Sequence, residues 1–550
     1  MTDERPSDTE LVVGLVGALG ADVRGVAAAI RAELTDTFAY RSEIISISSL
    51  MQDLPWQRDL SPSTEDARIK VNMDAGRDLN GSWYGAWHRY DALARLSLLR
   101  VAHLRETYNR KAGEVELQRP LDRFAFILRS FKRPEEIDLL RAVYGERFVV
   151  FGVYAPRLRR RKALYDLINP EYPSNCEDDW HNNPELRIDA LMTRDEREDG
   201  EAGQNVRDTF HRSDFFVEDL PEVRDVQIRR ALRTLFGDPF MTPTRDEAGM
   251  AHAATAARRS AEPGLQVGAA ITTPRGDLLA VGCNDVPRAF GGQYGPEDEH
   301  DGREFAWGPI IDGVRHDTNN VEQAAIADDV LAGLRARLTP YVDLVRGGLV
   351  GGDKEAAAAL DAISALKERA TVLESRLGNI TEFGRAVHAE MAAITTAARL
   401  GIPLRDSILY TTTFPCHNCA RHVIATGISR LIYVAPYAKS KAYKLHDDAL
   451  TVAPDGEVEN RVVFVPFIGV APRRYSHLFF GQDRKYDDGR LRAFAPTTAA
   501  PRLKDADPPE IGLDQLAYSV RETAVATAMQ VVLSETEVKV VVSSDGGEGS

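Results

Sequence analysis

The stretches Gly384-Arg-Ala-Val-His388-Ala389-Glu390-Met391-Ala-Ala-Ile394 and Leu409-Tyr-Thr-Thr-Thr-Phe-Pro415-Cys416-His417-Asn418-Cys419-Ala420 decide how the second half of this chain is read. Residues two apart on a helix point roughly 200° away from each other, so His388 and Glu390 can serve one ligand only from a helix mouth. Gly384 just upstream and the apolar run Met391 to Leu400 allow that, within a helix expected over 384–400. In the second stretch a strand, Ser407 to Thr412, hands over through Phe414 and Pro415 to a helix expected from Cys416 to Thr426. Two helix N-termini then converge on one metal, held by His388, Cys416 and Cys419, and their positive ends favour thiolate over thiol.

Zinc suits this donor set, and three protein ligands leave its fourth position open for water at a lowered pKa of about 7. Glu390 is spared from coordination and is free to carry protons. The rival reading is a structural zinc or no metal, with Glu390 a solvated helix residue. Structural zinc takes four protein ligands, and His417, lying between the cysteines, is expected to point away from the site they share. H-x-E followed by P-C-x-x-C is the pattern of zinc deaminases, in which the carboxyl carries the water's proton to ring N3 and then to the departing ammonia.

Outward from these motifs, strands and helices alternate. A helix over 248–260 and a hairpin, 266–272 with 278–282, open a region that closes near 485. An insertion over 291–382 carries a helical face of Leu360, Ile363, Leu366, Ala370, Leu373 and Leu377, the spacing of a core or oligomer seam. The last part, 486–550, reads as a Pro-rich linker, a helix over 513–533 and a tail.

The N-terminal region, expected over 11–240 after a flexible 1–10, begins with the apolar strand Leu11 to Val16, a glycine-rich turn and a helix from about Val23. Strand, helix, strand spacing around Phe124 to Leu128, Pro134 to Tyr144 and Phe148 to Tyr154 predicts an α/β fold with a parallel sheet. Gly14, Gly17 and Gly20 stand where a phosphate-cradling loop would. Aligned on Gly17, however, the second glycine of such a loop falls at Asp22, the lysine at Val23 and the hydroxyl residue at Arg24. The region therefore reads as a degenerate P-loop-like domain that senses a nucleotide or phage product, or holds an oligomer together, rather than one that transfers phosphate.

With 550 residues the chain holds roughly two to four domains. Its 43% hydrophobic and 27% charged content is that of an ordinary globular protein. A net charge of -15 disfavours stable nucleic-acid binding. The apolar run Leu11 to Ala21 is too short and glycine-rich for a membrane span, and a cytoplasmic protein is expected. Four cysteines, Cys176, Cys283, Cys416 and Cys419, make no disulfide framework.

Val281-Gly-Cys-Asn-Asp-Val-Pro-Arg288, His388-Ala-Glu-Met-Ala-Ala-Ile394 and Leu409 to Ala420 resemble deoxycytidylate deaminases. Pro436 to Asp448 and Pro466 to Tyr475 resemble the bacterial antiphage deoxycytidine-nucleotide deaminases, which also carry a kinase-like N-terminal region. The resemblance implies a P-loop-like parallel-sheet domain followed by a cytidine deaminase-like three-layer α/β/α domain over 241–485. It also implies deamination of dCTP and dCMP, depleting the deoxycytidine nucleotide pool that an infecting phage needs, and a homo-oligomer. By the same similarity Asn284 lies against the sugar, and the backbone N–H groups of Ala389 and Cys416 lie near the base. Arg288 is a candidate phosphate contact, as are Lys439, Lys441 and Lys444, each with the alternative of a solvated surface cation. The competing functions are a polynucleotide-editing deaminase using the same zinc chemistry, and a nucleotide-regulated toxin whose N-terminal domain is the sensor.

Overall fold

The computed structural model of the chain describes residues 9–52, 54, 62–169, 184–198, 202–346, 372–373, 380, 382–436, 440–452, 460–480, 483–503 and 518–535. The chain divides into two compact units, Met1–Ala248 with Phe467–Ser550, and Gly249–Pro466.

The first unit opens with β1 (Leu11–Gly17), whose seven residues are all buried, as expected for a central parallel strand covered on both faces. Side chains alternate: Val12 and Val16 enter one core, and Leu11, Val13 and Leu15 the other. Gly14 faces the first core, where an added Cβ would strike the ring of Phe148. Then follow α1 (Val23–Asp36), β2 (Arg41–Ser46), the helices α2 (Glu65–Trp87) and α3 (Ala92–Ala112), β3 (Phe124–Phe131), α4 (Pro134–Tyr144), β4 (Phe148–Tyr154), α5 (Arg157–Ile168), α6 (Pro184–Glu196), β5 (Phe215–Glu218), α7 (Pro221–Leu235) and α8 (Arg245–Ala257). The five strands are mutually parallel, in the order β5-β4-β1-β3-β2. On α1 the buried residues Val26, Ala27, Ile30 and Leu34 form one stripe against the second core.

The second unit, which takes α8 from Gly249 on, is built on a sheet of β6 (Gly268–Thr272), β7 (Leu278–Cys283), β10 (Ile408–Thr413), β11 (Arg430–Ala435), β12 (Leu450–Val452) and β13 (Val462–Pro466), in the order β12-β13-β11-β10-β6-β7. The small hairpin β8 (Ile310–Ile311) and β9 (Val314–Arg315) and the helix α9 (Thr318–Arg346) belong to the insertion. The proposed seam from Leu360 to Leu377 lies, apart from Leu373, outside the described residues. Helices cover both sheet faces. Gly268 admits the backbone of α8 so closely that a Cβ would meet Ala253 O, while Gly282 admits α10 (Ala389–Arg399), whose Ala393 N would be struck in the same way. The buried face of α10, Ala389, Ala393, Ile394 and Ala397, joins Ala420 and Val423 of α11 (His417–Ala425) in the core.

After Pro466 the chain returns to the first unit, ahead of the boundary expected at 485. Strand β14 (Gly469–Val470) adds antiparallel to β5, followed by α12 (Pro472–Phe479) and, near the C-terminus, α13 (Tyr518–Glu535). The stretch expected to be linker is partly core: Phe494, Ala499 and Leu503 pack against the first unit's second cluster, and Arg502 N donates to Leu235 O at 2.7 Å. Its apolar residues are sparse in sequence, but Phe494 meets the ring of Phe38 edge-on, which a linear reading cannot see. Among the described residues no helix is long and apolar enough to cross a membrane.

Candidate metal centre and active site

His388 is the N-cap of α10, with φ -63° and ψ 153°, and Cys416 is the N-cap of α11, with φ -66° and ψ 163°. Both helices therefore start later than the expected 384 and 416, and the extended caps turn the ligand atoms toward each other. His388 Nδ1 lies 3.3 Å from Cys416 Sγ and 3.4 Å from Cys419 Sγ. All three ligand atoms fall within 4.8 Å of one another, the one such group of His, Cys, Asp or Glu among the described residues. Zinc–sulfur and zinc–nitrogen bonds of about 2.3 and 2.0 Å in tetrahedral geometry place nitrogen and sulfur roughly 3.5 Å apart, so the donor set fits zinc. His417 is not part of the group, which leaves three protein ligands and a fourth position without one.

The electrostatics suit deprotonated sulfur. Cys416 is pushed down to about 4, first by a hydrogen bond from the Cys419 side chain and then by His388. His388 is raised to about 9, first by its bond to Cys416. Cys419 is raised by giving its proton to that neighbour and by burial. A metal takes the place of these protons, so binding releases them. The Cys419 N–H also points at Cys416 Sγ, at 3.4 Å, at the positive end of α11.

Glu390 is buried on the first turn of α10 and hydrogen-bonds with the Cys419 side chain. Burial raises its carboxyl above the ordinary range, opposed by its own backbone N–H and by His388. A carboxyl next to the ligands but outside their group can hold or release a proton there. Ala389 is wholly buried at the first helical position, where backbone N–H groups have no intrahelical acceptor.

The remaining candidates are less free. Asn284 Oδ1 accepts from Val267 N at 2.6 Å and Nδ2 donates to Leu265 O at 2.8 Å, so the side chain braces the entry to β6. Arg288 is half exposed and paired with Asp298 at 2.5 Å. Lys441 is exposed, next to Ser440, whose hydroxyl donates to Pro415 O at 2.8 Å and so fixes this loop beside the cysteine turn. Lys439 lies outside the described residues.

Sequence reasoning missed Asp285 and Glu262. The Asp285 carbonyl accepts from Val387 N at 3.0 Å, tying the end of β7 to the residue before His388, and its carboxylate accepts from Ala261 N at 2.9 Å. Burial and the charges of Asp317, Glu304 and Asp285 push Glu262 up to about 7, with His388 the opposing cation. Asp285 stands within the segment 281–288 but acts through its carbonyl, Glu262 stands in no motif, and only the fold assembles them.

In the first unit Gly14 sits inside β1, whereas Gly17 and Gly20 lie at the strand end and in the turn, Gly20 at φ +88°. Three N–H groups in and just after the turn donate to carboxylates: Leu19 N to Asp195 at 2.7 Å, Asp22 N to Asp219 at 3.0 Å and Gly25 N to Asp22 at 2.8 Å. Protein acids thus take three of the donors in and just after the glycine turn.

Residues 243–435 match the family described as the cytidine and deoxycytidylate deaminase zinc-binding region. Within it lie His388, Cys416 and Cys419, and the site they form is a zinc site. Among curated relatives, the deoxycytidylate deaminase of Enterobacteria phage T2 is 40% identical over 55 residues, 10% of this chain and 29% of that protein. The ComE operon protein 2 of Bacillus subtilis (strain 168) is 30% identical over 80 residues, 14% of this chain and 42% of that protein. The chain spans less than half the length of each of these relatives. A solved dCMP deaminase from the cyanophage S-TIM5, in complex with dCMP and dUMP, aligns with 16% identity over 41% of this chain and 98% of its own, at a TM-score of 0.22.

Proposed function

We propose that this protein is a zinc-dependent hydrolase that deaminates deoxycytidine nucleotides, dCMP or dCTP, to the deoxyuridine nucleotides with release of ammonia. The observation that carries the reading is the buried Glu390 carboxyl beside a His–Cys–Cys ligand set with no fourth protein ligand among the described residues. When bound, zinc supplies an electrophilic centre that activates water at neutral pH. Glu390 takes a proton from the attacking water, passes it to ring N3 as C4 is attacked, and protonates the leaving amine. Its raised pKa suits both holding and releasing that proton.

Ala389 and Cys416 N–H groups read the base edge at the two helix mouths. Asn284 keeps one amide hydrogen after its two backbone bonds and offers it to the sugar. Lys439, Lys441 and Arg288, the last released from Asp298, meet the phosphates. The first unit is read as a noncatalytic P-loop-like domain that regulates the enzyme or holds a homo-oligomer. The resemblance of 436–448 and 466–475 to antiphage deaminases supports a role in depleting deoxycytidine nucleotides during infection.

The test is to incubate the purified protein with each cytosine and deoxycytosine nucleotide, with single-stranded DNA and with RNA, following ammonia and uracil products. Turnover of free dCMP or dCTP, absent in Glu390→Ala, is expected. Turnover of polynucleotide alone would replace this reading by that of an editing enzyme.

A further inference from the structure

A cavity of about 470 Å³ lies in the first unit at the carboxyl ends of β1 and β3. From β1 the chain runs through α1 to β2, beyond β3, whereas from β3 it runs through α4 to β4, on the other side of β1. The crevice where two such connections diverge is the ligand position of open α/β sheets. None of its lining residues belongs to the zinc centre.

Most charges along the cavity cancel in pairs. Lys132 Nζ lies 2.7 Å from Asp195, Arg68 Nε donates to Glu65 at 2.6 Å, and Asp22 lies 3.8 Å from Arg224. Arg24 and Arg129 are different. Both line the cavity, and neither has a hydrogen-bond or ion-pair partner among the described residues. The Nε of Arg129 is shut off from solvent and unpaired. Burial and then the like charge of Arg24 lower the Arg129 pKa, so the two guanidiniums act on each other with no compensating carboxylate among the described residues. A buried, unsatisfied donor on a cation is costly, and an anion in the cavity would relieve it.

The backbone also favours a functional reading. β3 pairs Leu15 with Arg129 and Val16 with Phe131, skipping Ser130, which is held at φ +83°. This bulge returns Phe131 to the core of Phe126 and Leu128 and leaves Arg129 and Ser130 at the cavity. A non-glycine residue kept in that region at a strand's mouth is strain of the kind found at binding sites. The opposite wall is apolar, with Met51, Ile69, Met73, Leu93 and Leu164.

We propose that this cavity binds a mononucleotide, with its phosphate between Arg24 and Arg129 and its base against the apolar wall. Two planar guanidiniums match a phosphate dianion. Asp195, Asp219 and Asp22 already take three of the donors in and just after the glycine turn, which leaves the two guanidiniums as the cavity's free cations among the described residues. The volume lies within the range of about 300–1,000 Å³ of small-molecule sites and exceeds what phosphate alone needs. The proposal does not depend on the deaminase activity.

The test is isothermal titration of the full-length zinc protein with dTMP, dAMP, dGMP and inorganic phosphate, repeated with Arg24→Glu and Arg129→Ala. The expected result is saturable binding of at least one mononucleotide, weakened at least about tenfold by each substitution, with zinc content unchanged. Arg24 is exposed, so Arg24→Glu decides the matter should Arg129→Ala fail to fold. Three results would overturn the proposal: no saturable binding of any mononucleotide, binding that neither substitution weakens, or inorganic phosphate binding as tightly as the nucleotides.

Discussion

At the scale of single residues the division of labour is sharp: His388, Cys416 and Cys419 hold the metal, and Glu390 stands beside them without joining. Replacing Glu390 by Gln keeps the shape and removes the titratable proton. Deamination should then fall by about 10²- to 10⁴-fold, the usual share of a general acid–base group, while elemental analysis still finds one zinc per chain. Loss of zinc in Glu390→Gln would make the residue a ligand instead. Cys416→Ala should lose the metal itself, and chelator-treated protein should regain turnover when zinc is restored. That these four side chains meet at two helix mouths was legible in the sequence, because zinc and proton transfer accept few side-chain types. Asp285 was not, because its contribution is a carbonyl aimed at Val387 N, and a carbonyl has no residue identity.

At the scale of elements the site depends on how closely α10 approaches β7. An added methyl at Gly282 would lie 2.4 Å from Ala393 N and 2.5 Å from Ala389 O, backbone atoms that cannot step aside. Gly282→Ala should therefore shift α10, costing about 1–3 kcal/mol and displacing His388 and Glu390 together, with kcat lowered more than zinc content. A second element-level prediction concerns α4, whose Glu136 accepts from Lys132 N and Arg133 N yet is fully buried. Burial pushes its pKa up from 4.5 to about 7. The folded state then binds the proton more tightly than the unfolded one, so this group's contribution to stability falls as pH rises from about 4.5 through 7. Thermal melts across that window should show a shallower decline in Glu136→Gln, and an unchanged slope would assign the pH dependence elsewhere. Helices and strands at this level were readable from apolar periodicity. The start of α10 was read too early, because Arg385 to Val387 carry no breaker and the bridge from Val387 N to the Asp285 carbonyl that ties this stretch to the end of β7 has no residue signature.

At the scale of the whole chain, the sequence order and the units do not coincide: the unit that begins the chain also ends it, with Gly249–Pro466 set between. The return is fixed by charge as well as apolar contact. Arg105, fully buried on α3, donates at 2.7 Å both to Glu10, just before β1, and to Glu522 on α13, while Tyr518 donates to Glu10 at 2.9 Å. Partners so far apart in number leave no trace in a linear pattern, which is why 513–533 reads as a helix of no particular allegiance. Removing the cation strands two carboxylates in the core, a loss of about 3–5 kcal/mol. Arg105→Ala should thus lower the melting transition of the first unit and bare 518–535 to protease, while zinc stays bound to the second unit. A fall in zinc content in step with that transition would mean instead that the two units unfold as one.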